Sequence, residues 1–132
     1  IIGREVECSV LGSNRVSAST VGEIFAGADF YDYDAKYNSN ESRTVIPADI
    51  DPETEAEIRK ISLKVFKAVG GRGLSRIDFF IEKDTGKVVF NEINTMPGFT
   101  AISMYPKLWE AMGKPISELI DDLISMAALD KA

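Results

Sequence analysis

Four polar side chains fall where a strand hairpin brings them together: Arg76, Asp78, Glu92 and Asn94. Residues Arg76 to Glu82 alternate, with Arg76, Asp78, Phe80 and Glu82 on one face and Ile77, Phe79 and Ile81 on the other. Lys83-Asp84-Thr85-Gly86 reads as the turn, Gly86 supplying the positive φ such loops need. The return run from Val88 to Asn94 sets Phe90, Glu92 and Asn94 on a common face. A register that pairs Asp78 with Glu92 puts Arg76 opposite Asn94 and turns all four polar groups the same way. Carboxylates facing each other across a strand pair repel. A divalent cation removes that repulsion, and Asp, Glu and Asn offer only hard oxygen ligands, which suit Mg²⁺ completed by water and substrate phosphates. An exposed polar face with Arg76 paired to Asp78 or Glu92 accounts for the same residues. The hairpin leaves both readings open.

The next segment narrows them. Asn94-Thr95-Met96-Pro97-Gly98-Phe99-Thr100 leaves the hairpin as an irregular loop, with Pro97 holding Met96 extended and Gly98 allowing the backbone to approach a ligand. Arg76-x-Asp78, followed by Asn91-Glu92-x-Asn94-Thr95-x-Pro97-Gly98-Phe99-Thr100 and ending in Ser103, resembles the C-terminal part of D-alanine–D-alanine ligases of the ATP-grasp superfamily. Phe30-Tyr31-Asp32-Tyr33-Asp34-Ala35-Lys36-Tyr37 is similar to that family's ω-loop. The two motifs stand in the family's order and spacing, and the resemblance covers essentially the whole chain.

The resemblance implies an α+β fold, the ATP-grasp C-terminal domain, with a mostly antiparallel sheet packed with helices over residues 1–132. It implies a fragment whose N-terminal domain and most of whose central lid domain lie upstream, in keeping with a first residue, Ile1, that is no initiator methionine. ATP and two Mg²⁺ ions, or Mn²⁺ in their place, follow as cofactors. D-alanine follows as the small-molecule substrate, the cytoplasm as the location and a homodimer as the parent enzyme. By the same likeness Asp78, Glu92 and Asn94 are metal ligands, Glu92 bridging both ions. Arg76 and the Gly98 N–H stabilise a tetrahedral oxyanion, and Ser103, with Met104 beside it, holds the second substrate's carboxylate. Glu5 matches a ribose-binding carboxylate, Phe30 lies against adenine, Lys36 reaches the transferring phosphate and Tyr37 faces the second substrate. A tyrosine there accompanies D-alanine in this family, where phenylalanine or histidine accompanies depsipeptide-forming enzymes. Such a fragment, carrying half of an active site, is expected to have negligible ligase activity alone. D-lactate or D-serine as second substrate, another ATP-grasp carboxylate–amine ligase, and a cation- or partner-binding module without turnover remain alternatives.

Composition sets outer limits. A chain of 132 residues with 45% apolar content can form one domain with a core. A net charge of −6 without a basic stripe argues against a nucleic-acid surface. No apolar run approaches the roughly 20 residues of a membrane helix, and no signal or transit segment is visible. With no histidine, Ser-His-Asp and Cys-His catalysis and histidine zinc sites are removed. The lone Cys8 cannot form an internal disulfide and reads as a small buried hydrophobe.

Further elements must position the hairpin. Arg4 to Leu11 reads as a strand with Val6, Cys8 and Val10 on one side and Glu5, Glu7 and Ser9 on the other. Gly12-Ser13-Asn14 is a turn into a short extended run through Val16 and Ala18 toward Phe25, as in a β-meander. By local pattern alone, Phe30 to Arg43 reads as loop. Asp51-Pro52 opens a helix whose buried stripe is expected at Ile58, Ile61, Val65 and Val69, widened by Leu63 and Phe66, with Gly70-Gly71 ending it. Gly70-Gly71-Arg72-Gly73 follows a helix instead of a strand and is a connector rather than a phosphate loop. Ser103 is a natural N-cap for a helix from Met104 to Met112. After Gly113-Lys114-Pro115, a last helix packs through Ile116, Leu119, Ile120, Leu123, Ile124 and Ala127.

Overall fold

The computed structural model describes residues 2–25 and 43–130. Phe30, Lys36 and Tyr37 lie outside the described residues. The elements are β1 (Gly3–Gly12), β2 (Val16–Phe25), β3 (Arg43–Val45), α1 (Pro52–Ala68), β4 (Gly73–Glu82), β5 (Val88–Asn94), α2 (Met104–Glu110) and α3 (Ile116–Asp130). The five strands form one antiparallel sheet in the order β3-β2-β1-β4-β5. The α+β architecture is therefore the expected one. β1, β2 and β4 are longer than their local patterns suggest, and β3 begins at Arg43 where loop was expected.

β1 sits at the centre of the sheet. Its alternation sends Val6, Cys8 and Val10 to one face, where they join Ile77, Phe79 and Ile81 of β4 beneath Ile58 and Phe66 of α1. Each large apolar side chain removed from water there contributes about 1.5–3 kcal/mol. Cys8 is fully buried in this layer, as its context predicts.

α1 starts as expected: the Asp51 carboxylate accepts the Thr54 N–H at 2.8 Å, and Pro52 occupies the first turn. It ends with the Gly71 N–H reaching back to the Phe66 carbonyl at 2.8 Å and the Gly70 N–H to Lys67, Gly70 taking φ +68°. The buried line runs through Ile58, Ser62 and Phe66. Val69 is 54% exposed, which corrects the predicted stripe. Ser62 enters the core because its hydroxyl donates to the Ile58 carbonyl at 2.8 Å, while Val69 lies past the last helical turn.

The second face is covered only in part. α2 and α3 close one end of it around Leu11, Tyr105, Trp109 and Leu119. The Tyr105 hydroxyl donates to the Val10 carbonyl at 2.9 Å and ties α2 to β1. Gly22 allows the approach: a Cβ there would stand 2.8 Å from Leu108 Cδ2 and 2.9 Å from the Met104 sulfur. α2 stops at Glu110, short of Met112. α3 is a helix as expected, yet only Leu119 of its apolar stripe is buried, and Ile120 and Ile124 are exposed. The rest of this sheet face carries Glu5, Glu7, Arg76, Asp78, Glu92 and Asn94.

Candidate active site

The β4–β5 hairpin has the expected register at its polar end, with Asp78 opposite Glu92 and Arg76 opposite Asn94. The ladder then slips, so that Phe79 pairs with Phe90 and Asn91 is left as the extra residue of a β-bulge. That placement accounts for an Asn where strict alternation demands an apolar side chain. It also corrects the face given to Phe90. The slip turns Phe90 to the side of Phe79, edge to face at 6.1 Å between ring centroids, and leaves Glu92 and Asn94 on the polar face.

Arg76 and Asp78 lie two residues apart on β4 and form a two-point ion pair, Nε to Oδ1 at 2.8 Å and Nη2 to Oδ2 at 3.0 Å. Of the pairings left open by the hairpin pattern, the one with Asp78 is present. Asn94 Oδ1 accepts the Met96 N–H at 3.0 Å and bends the chain into the loop that follows. At Gly98 a Cβ would come 2.9 Å from Ser103 Oγ, so a larger residue there would have to displace that hydroxyl. Ser103 Oγ accepts the Thr100 N–H at 3.0 Å and lies 2.8 Å from Thr100 Oγ1. It stands at the N-cap of α2 as expected but makes no side-chain capping bond, because the hydroxyl is taken up inside the loop.

Two adjoining recesses result. A cavity of about 500 Å³ is lined by Glu7, Arg76, Gly98, Ser103, Met104 and Lys107. A smaller one of about 180 Å³ is lined by Glu5, Glu7, Asp78, Asn91 and Glu92, among others. The structure thus brings Arg76, Gly98, Ser103 and Met104 to the first recess and Glu5, Asp78 and Glu92 to the second. Asn94 begins the loop beside Arg76.

Glu7 borders both recesses and is the residue that sequence reasoning missed. Its strand position puts it on the same side as Glu5 and carries no sign of burial, yet it is only 7% exposed. Its register neighbours are Gly22 on β2 and Asp78 on β4. The signal for it was a carboxylate on a strand with neighbours on both sides, one of them a glycine over which a helix descends. Burial, reinforced by the Asp78 charge and opposed by Arg76, pushes the Glu7 carboxyl up to about 7. The hydrogen bonds that Arg76 donates to the Asp78 carboxylate raise its guanidinium above the ordinary value.

Among the described residues no three Asp, Glu, Cys or His side chains converge into a metal cluster. Asp78, Glu92 and Asn94 form a different kind of set, two carboxylates and an amide oxygen. They fit magnesium by their chemistry: all are hard oxygens, Asp78 and Glu92 face each other across the ladder, and Asn94 Oδ1 keeps a lone pair beyond its bond to Met96. A site with so few protein ligands is one that substrate phosphates complete.

An antiparallel sheet with one helix-covered face and, on the other, hard oxygen donors beside a glycine loop has the chemistry to suit a hard cation and phosphate oxygens. The family description "D-ala D-ala ligase C-terminus" matches residues 1–125, and the chain belongs to that family. It is 59% identical over 127 residues to the D-alanine–D-alanine ligase of Acetivibrio thermocellus, a match covering 96% of this chain and 34% of that protein. The solved structure of the VanG D-Ala:D-Ser ligase from Enterococcus faecalis superposes with a TM-score of 0.81 at 40% identity, covering 96% of this chain and 36% of the other. The D-alanine–D-alanine ligase from Bacillus anthracis complexed with ATP gives 0.77 at 26% identity, covering 97% and 39%. The chain therefore spans about a third of the length of the curated relatives it matches.

Proposed function

We propose that this chain is the C-terminal catalytic part of an ATP- and Mg-dependent ligase that joins two D-alanines into D-alanyl-D-alanine for peptidoglycan precursor synthesis in the cytoplasm. The observation that carries the reading is the adjacency of the Asp78–Glu92–Asn94 donor face to a cavity lined by Arg76, Gly98, Ser103 and Met104. The carboxylate of a first D-alanine takes the γ-phosphoryl group of ATP to give an acyl phosphate. The amine of a second D-alanine attacks that carbonyl, and the tetrahedral intermediate expels phosphate.

Each residue has a task in that sequence. Asp78, Glu92 and Asn94 would hold two Mg²⁺ ions, or Mn²⁺, whose charge offsets that of the transferring phosphoryl group. The Arg76 guanidinium and the Gly98 N–H meet the negative oxygen of the tetrahedral intermediate; losing one such donor typically costs about 3–4 kcal/mol of transition-state stabilisation. Ser103 binds the second substrate's carboxylate, with Met104 shaping the pocket wall. Glu5 takes the ribose. Phe30, Lys36 and Tyr37 serve adenine, phosphate and second substrate respectively. The parent enzyme is proposed to be a homodimer.

The likeness to a D-Ala:D-Ser ligase keeps D-serine as a second reading for the acceptor. A full-length ligase carrying this sequence, given MgATP, D-alanine and equal amounts of D-lactate and D-serine, is expected to yield D-alanyl-D-alanine with stoichiometric ADP, read by product mass. A depsipeptide or a D-alanyl-D-serine product overturns the assignment of the acceptor and keeps the mechanism; no product and no ADP overturns the ligase reading.

A further inference from the structure

Arg76 faces two carboxylates and is bonded to one. Both of its contacts with Asp78 are good hydrogen bonds, at 2.8 and 3.0 Å. Glu7 Oε2 lies 3.2 Å from the same Arg76 Nε, but it is buried without a hydrogen-bond partner. An orphaned carboxylate oxygen in a strand interior is costly, and a hydrogen-bonded partner removes most of that cost. Glu7 cannot turn away from the site, because β1 has neighbours on both sides and α2 descends over Gly22.

The proposed role of Asp78 makes sense of this arrangement. An aspartate that ligates a cation cannot also devote both oxygens to a guanidinium. When Asp78 turns to metal, Arg76 loses its anchor at the moment it is needed beside the Gly98 N–H. We propose that Glu7 is a positioning residue that takes over Arg76 Nε when Asp78 engages the cation, holding the guanidinium with its Nη groups toward the oxyanion. Arg76 then exchanges one carboxylate for another without leaving the cavity. This inference rests on the ligase reading above.

The test uses a full-length ligase carrying this sequence. Glu7→Leu removes the acceptor, and Glu7→Gln keeps a carbonyl oxygen in the same place. Misplacing a catalytic group by about 1 Å costs on the order of 100-fold in rate, so Glu7→Leu is expected to lower kcat by about 10- to 100-fold. The KM for MgATP should stay within about twofold, because no proposed metal or nucleotide ligand is altered. Glu7→Gln should restore most of the lost kcat. In an Arg76→Ala background, Glu7→Leu should cost nothing further, since the residue acts only through Arg76. A wild-type kcat for Glu7→Leu, or an equal loss in the Arg76→Ala background, overturns the proposal. Should Glu7→Leu melt below the assay temperature, Glu7→Asp replaces it: one methylene shorter, it withdraws the acceptor and must reproduce the loss. Failure of the wild-type enzyme to make any dipeptide would instead count against the ligase reading itself.

Discussion

Glu7 shows how much a single residue's environment can differ from its local pattern. Its carboxyl is pushed up to about 7 from an ordinary value of 4.5, so the folded state holds a proton that the unfolded state has released between those values. Stability is therefore lost as pH rises from about 4.5 to 7, by up to about 3 kcal/mol. Glu7→Gln, which cannot ionise, is expected to melt at a higher temperature than wild type above pH 7 and to converge with it below pH 4.5. Melting curves of both proteins across that range, without nucleotide or metal, check the sign. Glu92 gives a second residue-scale prediction. Glu92→Gln removes half of the carboxylate charge assigned to the cation face, so Mg-dependent nucleotide binding should weaken at least about tenfold in a titration calorimeter while the melting temperature stays near wild type. A change in stability alone would return Glu92 to the role of a polar hairpin residue.

At the scale of elements, the bulge at Asn91 is what lets one strand serve two layers. Residues before it, Val88 and Phe90, pack toward the α1 side, and residues after it, Glu92 and Asn94, belong to the polar face. Deleting Asn91 restores strict alternation and forces one of these groups to the wrong side. The deletion variant is expected to lose Mg-dependent nucleotide binding or to lose core packing, seen respectively by calorimetry and by a fall in melting temperature. A variant that keeps both would show that the bulge is incidental. The α1 layer gives a plainer expectation: Phe66→Ala opens a cavity under a fully buried ring and should cost about 3–5 kcal/mol by denaturant unfolding.

For the molecule as a whole, the chain spans about a third of its curated relatives' length, and the proposed function makes its polar sheet face one half of an active site. A purified protein of these 132 residues is expected to form no dipeptide from MgATP and D-alanine at a measurable steady rate. Steady turnover by it would mean that the residues of this chain suffice. Among the described residues no helix is long and apolar enough to cross a membrane.

What the sequence determined by itself was whatever depends on near neighbours in the chain. Asp51-Pro52 and Gly70-Gly71 bound α1 because capping is settled within four residues, and the Lys83–Gly86 turn closes the hairpin with Ile81 opposite Val88, while the Asp78–Glu92 pairing also needs the bulge at Asn91. The candidate site was legible for the same reason: Arg76, Asp78, Glu92, Asn94, Gly98 and Ser103 lie within one hairpin and its loop. Tertiary structure decided the rest. Alternation says which residues share a face but not what covers that face, so it put Glu7 on the polar side of β1 without showing its burial, which comes with α2 descending over Gly22. Helical periodicity likewise marks an apolar stripe without supplying its partner: α3 has the clearest stripe in the chain, yet of it only Leu119 is fully buried. Burial is a property of two surfaces, and the sequence of one segment describes only the first.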